Sequence, residues 1–213
     1  MKLPSSVMRH LARQLGRPSG PVGRYVIARM LNKGNGPVVA AAVDALALQH
    51  GDVAADIGFG GGVGLPLLLD RVGPGGHVHG VDLAEDMVRQ ATARHRTDRL
   101  TVHLGSITDL PLDDASVDGA ISINVIYFVE AADRAFAEVA RVLKPGGRFV
   151  LGHADPDFMR GLPFTRHGFR IRPIELVTSL LGEAGLPVTE HQRVGDGDRA
   201  YHLLVGTRPG TPG

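Results

Sequence analysis

The chain has 213 residues, 43% of them hydrophobic and 21% charged, with 23 basic against 22 acidic side chains and a formal charge of +1. That length suits one domain with an ample core, and the balanced charge argues against a dedicated nucleic-acid binder, whose domains carry a clear basic excess. The sequence contains no cysteine, which excludes disulfides, thiolate metal sites and cysteine nucleophiles.

The N-terminus, MKLPSSVMRHLARQLGRPSG, lacks the continuous apolar stretch of a signal peptide. No apolar run reaches the length of about 18 residues that a membrane span needs. The expectation is therefore a cytoplasmic protein without stable membrane insertion. Residues 1–49 read as a helical extension and residues 50–213 as the core. Helices are expected over Met8–Leu15 and Val22–Leu31, with NKGNGP as a break and Pro37 opening a third helix as a first-turn proline.

From residue 53 the pattern alternates. VAADI, HVHGVDL, LTVHLG, VDGAISINVI and RFVLGHA read as strands, with GLPLLLDRV, AEDMVRQATARHR and DRAFAEVARVLK as helices among them. PIELVTSLLGEAG is a further helix, and LPVTEHQRV and AYHLLVGTR are the last two strands. Alternating strands and helices predict a parallel sheet covered on both faces. Only GDGDR separates the last two strands, too short for a parallel crossover, so they form an antiparallel hairpin. The expected fold is α/β, Rossmann-like: a seven-stranded, mostly parallel sheet with an antiparallel C-terminal hairpin and an N-terminal helical lid.

VAADIGFGGGVG places five glycines between the first strand and its helix. In an open parallel sheet, ligands bind beyond the carboxyl ends of the strands, and glycine lets backbone amides approach them. The dinucleotide pattern G-x-G-x-x-G fails, because its third position falls on Val63 or Leu65, and no G-x-x-x-x-G-K-[ST] phosphate loop is present. The spacing is instead Asp56-x-Gly58-x-Gly60-x-Gly62. The next strand ends in Asp82, a carboxylate placed to accept hydrogen bonds from a ribose diol; a helix N-cap in DLAED is the bland alternative.

VAADIGFGGG, VHGVDLAEDMV, LPLDDASVDGAISINVIYFV and ARVLKPGGRFVL, in that order, resemble class I S-adenosylmethionine-dependent methyltransferases, in particular the type-11, ubiquinone/menaquinone-biosynthesis-like branch. The resemblance runs from about residue 35 to 207. It implies that Asp56, Gly58, Phe59, Gly60 and Gly62 hold the methionine part of S-adenosylmethionine and that Asp82 binds the ribose. By the same resemblance Leu83 and Met87 flank that acid and the adenine, Ser106 and Ile107 contact the adenine edge, and Asn124 lies near the sulfonium and the acceptor. Two positions depart from the family: Phe59 stands where small residues are common and is expected to crowd the methionine tail, and Ser106 stands where many relatives have aspartate.

The implied activity is in-line methyl transfer to a small-molecule acceptor, yielding S-adenosylhomocysteine. Alternatives are a lipid or quinone acceptor at a membrane surface, or a non-catalytic cofactor-binding protein. An NAD-dependent oxidoreductase is disfavoured by the failed dinucleotide pattern, and an RNA methyltransferase by the charge. His153, at the end of the fifth strand, is the candidate general base, and Tyr127 a candidate wall of the acceptor pocket. His167 with Arg166, Arg170 and Arg172 makes a basic loop, read either as acid-binding or as a solvated surface. The ten histidines form no metal-ligand spacing, so no metal is expected. The N-terminal helices read as a lid, a homodimer contact or a membrane-surface helix, the lid being favoured.

Overall fold

The computed structural model describes residues 7–9, 12 and 28–210. The expected helix over Met8–Leu15 and the start of that over Val22–Leu31 lie largely outside these residues. The described elements, in chain order, are α1 (Ala28–Ala45), β1 (Val53–Ile57), α2 (Gly64–Val72), β2 (His77–Asp82), α3 (Glu85–Arg94), β3 (Leu100–Leu104) and β4 (Val117–Ile123). There follow α4 (Ala132–Val142), β5 (Leu143–Ala154), α5 (Pro156–Gly161), α6 (Ile174–Glu183), β6 (Val188–Val194) and β7 (Tyr201–Thr207), with short 3-10 turns at Ile126–Phe128, Pro163–Arg166 and Gly197–Arg199.

The seven strands form one sheet in the order β3-β2-β1-β4-β5-β7-β6. β1 to β5 pair in parallel, while β7 runs antiparallel to both β5 and β6. Strand order reverses between β1 and β4, so a crevice opens there beyond the carboxyl ends.

Periodicity explains which helix faces are buried. α2 buries Leu65, Leu68, Leu69 and Val72, and α4 buries Ala132, Ala135, Phe136, Val139 and Val142, each an i, i+3, i+4 stripe. Two apolar clusters result, one on each face of the sheet. Val38, Val39 and Ala42 of α1 join Leu65, Leu68, Val78 and Met87 on one face; Phe136, Val139, Phe149, Leu151 and Leu181 fill the other. Full burial of each large side chain stabilises the fold by about 1.5–3 kcal/mol.

Two local expectations fail. Gly34, Asn35, Gly36 and Pro37 do not break the chain, and α1 runs through them as one helix. Proline there forfeits a single backbone donor, and the Val38–Leu46 stripe packed on the sheet outweighs it. LKPGG, directly after α4, belongs to β5. Leu143 already pairs with Val117, and the register then shifts, leaving Lys144–Gly147 as a bulge before Arg148 meets Gly119. At the other end β4 is shorter than expected: Asn124 takes φ +62° and turns the chain into the 3-10 turn.

Candidate active site

The glycine loop folds back onto the end of β2. Gly58 N donates to Val81 O (2.7 Å), Gly60 N to Asp82 Oδ2 (2.8 Å) and Gly62 N to Phe59 O (2.8 Å). Gly58 has φ +75°, and a Cβ there would lie 2.3 Å from Val125 Cγ2, so only glycine fits both the dihedral and the space. Gly64, the first residue of α2, makes room for a functional group: a Cβ on it would stand 2.2 Å from Asp56 Oδ2.

Asp56 and Asp82 are both buried. Burial, reinforced by the nearby Asp82 charge, pushes the Asp56 carboxyl up to about 8, because a low-dielectric site disfavours the ionised form. Asp82 accepts from Gly60 N through one oxygen and from Ala84 N through the other (2.8 Å each). It thus ties the glycine loop to the start of α3. The N-cap of α3 is Ala84, with no side-chain cap, so Asp82 makes an Asx-type turn two residues earlier and is not the cap. A carboxylate has about four lone-pair directions, leaving capacity for further donors.

These residues line a cleft of about 560 Å³, together with Leu83, Ser106, Ile107, Asn124 and Tyr127. Phe59 borders it too, but its ring is buried over Gly80, whose missing Cβ would stand 3.1 Å from a ring carbon. Ser106 Oγ bonds Thr108 Oγ1 (2.8 Å) and accepts from Thr108 N (3.1 Å).

Three residues expected at the site lie elsewhere. Met87 is 2% exposed in the core beneath α3 and does not border the cleft, because its helical position falls on the sheet-facing stripe. Gly62, at φ +76°, is a turn residue that does not itself line the cleft, although Gly61 and Val63 beside it do. His153 is 2% exposed and absent from the wall. Its Nδ1 lies 3.0 Å from Ala154 O, and its ring stacks on His202 at 5.8 Å. Burial lowers its pKa first of all, and Nε2 is buried without a partner among the described residues. The pleat turns successive side chains to opposite faces, so Ala154, not His153, borders the cleft.

Asn124, left-handed at the end of β4, places Nδ2 3.4 Å from both Asn35 Oδ1 and Tyr201 Oη, and Tyr201 Oη lies 3.2 Å from Asn35 Oδ1. Its Oδ1 is buried with no donor among the described residues. Tyr127 Oη donates to Ala154 O (3.3 Å), and burial drives its pKa well up. The basic loop is structural in part. Arg172 donates to Ile126 O, Val129 O and Glu130 O, and Arg170 pairs with Glu130 at 2.7 Å. Arg172 is thus engaged by backbone carbonyls, whereas Arg170 stands in a half-exposed surface pair. Among the described residues no group of three or more histidines or carboxylates is arranged to hold a metal.

Sequence reasoning missed Asn35, Arg199, Tyr201, Phe128, Phe158 and Phe169, all on the cleft wall. A topological signal for two of them existed. With β6 parallel to β5, the β6–β7 turn returns to the carboxyl edge, which delivers Arg199 and Tyr201 there.

Comparison with known proteins agrees with this geometry. Residues 55–151 match a family model described as a methyltransferase domain. An uncharacterized 37.1 kDa protein in transposon TN4556 of Streptomyces fradiae is 41% identical over 136 residues, covering 59% of this chain and 39% of that protein. A demethylmenaquinone methyltransferase of Symbiobacterium thermophilum is 37% identical over 125 residues, covering 57% of this chain and 49% of that protein. An arsenite methyltransferase of Halobacterium salinarum is 35% identical over 121 residues, covering 55% and 30%. The chain spans less than half the length of these relatives. Among solved structures, the putative methyltransferase of Haloferax volcanii in complex with the Trm112 activator superposes with a TM-score of 0.77 at 24% identity, covering 87% of this chain and 94% of that one. A SAM-dependent methyltransferase of Aquifex aeolicus gives 0.70 at 18% identity, covering 97% and 100%.

Proposed function

We propose that this chain, whose residues 55–151 match a methyltransferase-domain model, is a class I S-adenosylmethionine-dependent methyltransferase and moves a methyl group to a small-molecule acceptor. The observation that carries the reading is the pair of buried carboxylates, Asp56 and Asp82, cradled by the glycine loop at the switch point of the sheet. The donor set fits the cofactor. Asp56, in the space that Gly64 leaves, would receive the α-ammonium. Asp82 would take the ribose hydroxyls, with Leu83 and Ile107 flanking the adenine and Ser106 at its edge.

S-adenosylmethionine, when bound, supplies a methyl already activated on a sulfonium; the S–C bond breaks as the bond to the acceptor forms, and the electron pair stays on sulfur as a thioether. The chain's own part is to align the acceptor and exclude water, effects able to supply most of the acceleration. Among the described residues no histidine lines the cleft, and the Tyr127 hydroxyl is committed to Ala154 O. The geometry therefore supports an acceptor that needs no strong protein base. Arsenite, in the name of one relative, is a small molecule, and demethylmenaquinone, in the name of another, is a quinone; neither is a protein or an RNA, which favours a non-macromolecular acceptor here.

The test is to incubate the protein with methyl-labelled S-adenosylmethionine and an extract of its source cells. Label in organic-extractable small molecules is the expected result. Label confined to protein or RNA would overturn the acceptor class, and an extractable product with a long hydrocarbon tail would favour the lipid or quinone reading.

A further inference from the structure

Part of the cleft wall is a cluster of aromatic rings. Phe169 is the hub: its centroid lies 4.7 Å from Phe128, 5.6 Å from Phe164 and 5.7 Å from Tyr127. Such a wall offers apolar area and π faces, and little hydrogen bonding. Glu130, which also lines the cleft, pairs with Arg170.

Arg199 is the one cationic side chain among the described residues that line the cleft. Its guanidinium carbon stands 5.8 Å from the Phe158 ring centroid, and it makes no ion pair with a carboxylate among the described residues. The turn that carries it is held in place. Ala200 N donates to Gly197 O (3.3 Å), Arg193 Nη2 to the same oxygen (3.1 Å), and Asp155 N to Ala200 O (3.0 Å). Asp155 in turn caps α5, the helix bearing Phe158, by accepting from Asp157 N and Phe158 N. The turn's backbone is thus held, and its exposed guanidinium, without a carboxylate partner among the described residues, lies against the Phe158 ring. Asn124 also lines this cavity, and its Oδ1 is buried and lacks a donor among the described residues.

We infer that the acceptor is a largely apolar molecule bearing one anionic group, carboxylate or phosphate, with its hydrocarbon or ring body on the Phe128–Phe169 wall and its anion on Arg199. This deepens the methyl-transfer reading of the cleft and rests on it. A guanidinium is suited to either anion, since its planar fork matches both.

The experiment is a fluorescence titration with dansyl-labelled undecanoic acid, its methyl ester and the corresponding alkyl phosphate, each with and without saturating S-adenosylhomocysteine. Wild type, Arg199→Gln and Arg199→Lys are compared, with cofactor-product affinity measured separately by calorimetry. The expected result is that wild type binds an anionic probe about tenfold more tightly than the ester, in the range of a charge-assisted hydrogen bond at a partly exposed site. Arg199→Gln removes that preference, Arg199→Lys keeps part of it, and ester binding is the same in all three. The ratio of carboxylate to phosphate affinity then assigns the anion. Equal binding of acid and ester by wild type, or a preference that survives Arg199→Gln, overturns the inference. So does loss of S-adenosylhomocysteine binding in Arg199→Gln, which would make the arginine a reader of the cofactor's own carboxylate. If wild type does not bind S-adenosylhomocysteine, the methyl-transfer reading fails by itself, while the acid–ester comparison without it still decides the role of Arg199.

Discussion

Replacing Asp56 with asparagine should make the free protein more stable while removing its function. The Asp56 carboxyl titrates near 3.8 when unfolded and at about 8 in the fold, because of burial first and the Asp82 charge second. Between those values the folded chain holds a proton that the unfolded chain has lost. Stability is therefore full below pH 3.8 and falls as pH rises toward 8, by ~1.4 kcal/mol per pH unit. By pH 7 this amounts to something on the order of 4 kcal/mol. Asparagine has nearly the same shape and is neutral in both states, so Asp56→Asn escapes that loss. Urea denaturation at pH 7 should show the variant more stable by a few kcal/mol, with a Tm rise of roughly 2–4 °C per kcal/mol for a chain of this size. The gap should shrink as pH approaches 4. Calorimetry should show S-adenosylhomocysteine binding lost at least tenfold, because the partner of the ammonium is gone. A variant less stable than wild type at pH 7, or a gap that does not change with pH, would refute the reasoning.

Gly64→Ala drives a methyl into the space of Asp56 Oδ2; it should lower stability by about 1–3 kcal/mol and weaken S-adenosylhomocysteine binding, both read by thermal shift with and without ligand. His153→Leu removes an imidazole whose Nε2 has no partner among the described residues; S-adenosylhomocysteine affinity should stay within about twofold, since the ring is not on the cleft wall, and a tenfold loss would restore it to the site. On β2 and β3, His79 Nδ1 lies 3.1 Å from His103 Nε2, and burial, with His77 and His103 nearby, lowers the His79 pKa to about 4. The folded ring stays neutral where the unfolded one takes a proton, so its contribution is present above pH 6.5 and is lost as pH falls toward 4. Wild type should accordingly lose stability relative to His79→Gln over that window in paired melts, and parallel curves would contradict the assignment.

The order of strands and helices was readable because each element repeats one period, as in the Phe136–Val139 face of α4 and the buried run of β1. The glycine loop was readable because its density exceeds the needs of a turn. The failures share a cause, which is that side-chain direction at the ends of elements depends on tertiary packing. One step along β5 decides whether His153 or Ala154 meets the cleft. The sheet-facing stripe of α3 takes Met87 inward, and the contacts of Val38, Val39 and Ala42 carry α1 through Gly36 and Pro37. Arg172 looked like a surface cation in the sequence and is a clamp on three carbonyls at the end of the β4 turn. Asn35 and Tyr201 meet Asn124 only because distant segments converge at the carboxyl edge of the sheet.

The claim that Asp82 and the glycine loop hold S-adenosylmethionine is tested most directly by isothermal titration with S-adenosylhomocysteine, with NAD as the control. The account predicts one site per chain for S-adenosylhomocysteine, none for NAD, and affinity weakened by about 1–3 kcal/mol in an Asp82→Ala variant that still melts cooperatively. Absence of binding to wild type, or an Asp82→Ala variant that binds as tightly, would contradict it.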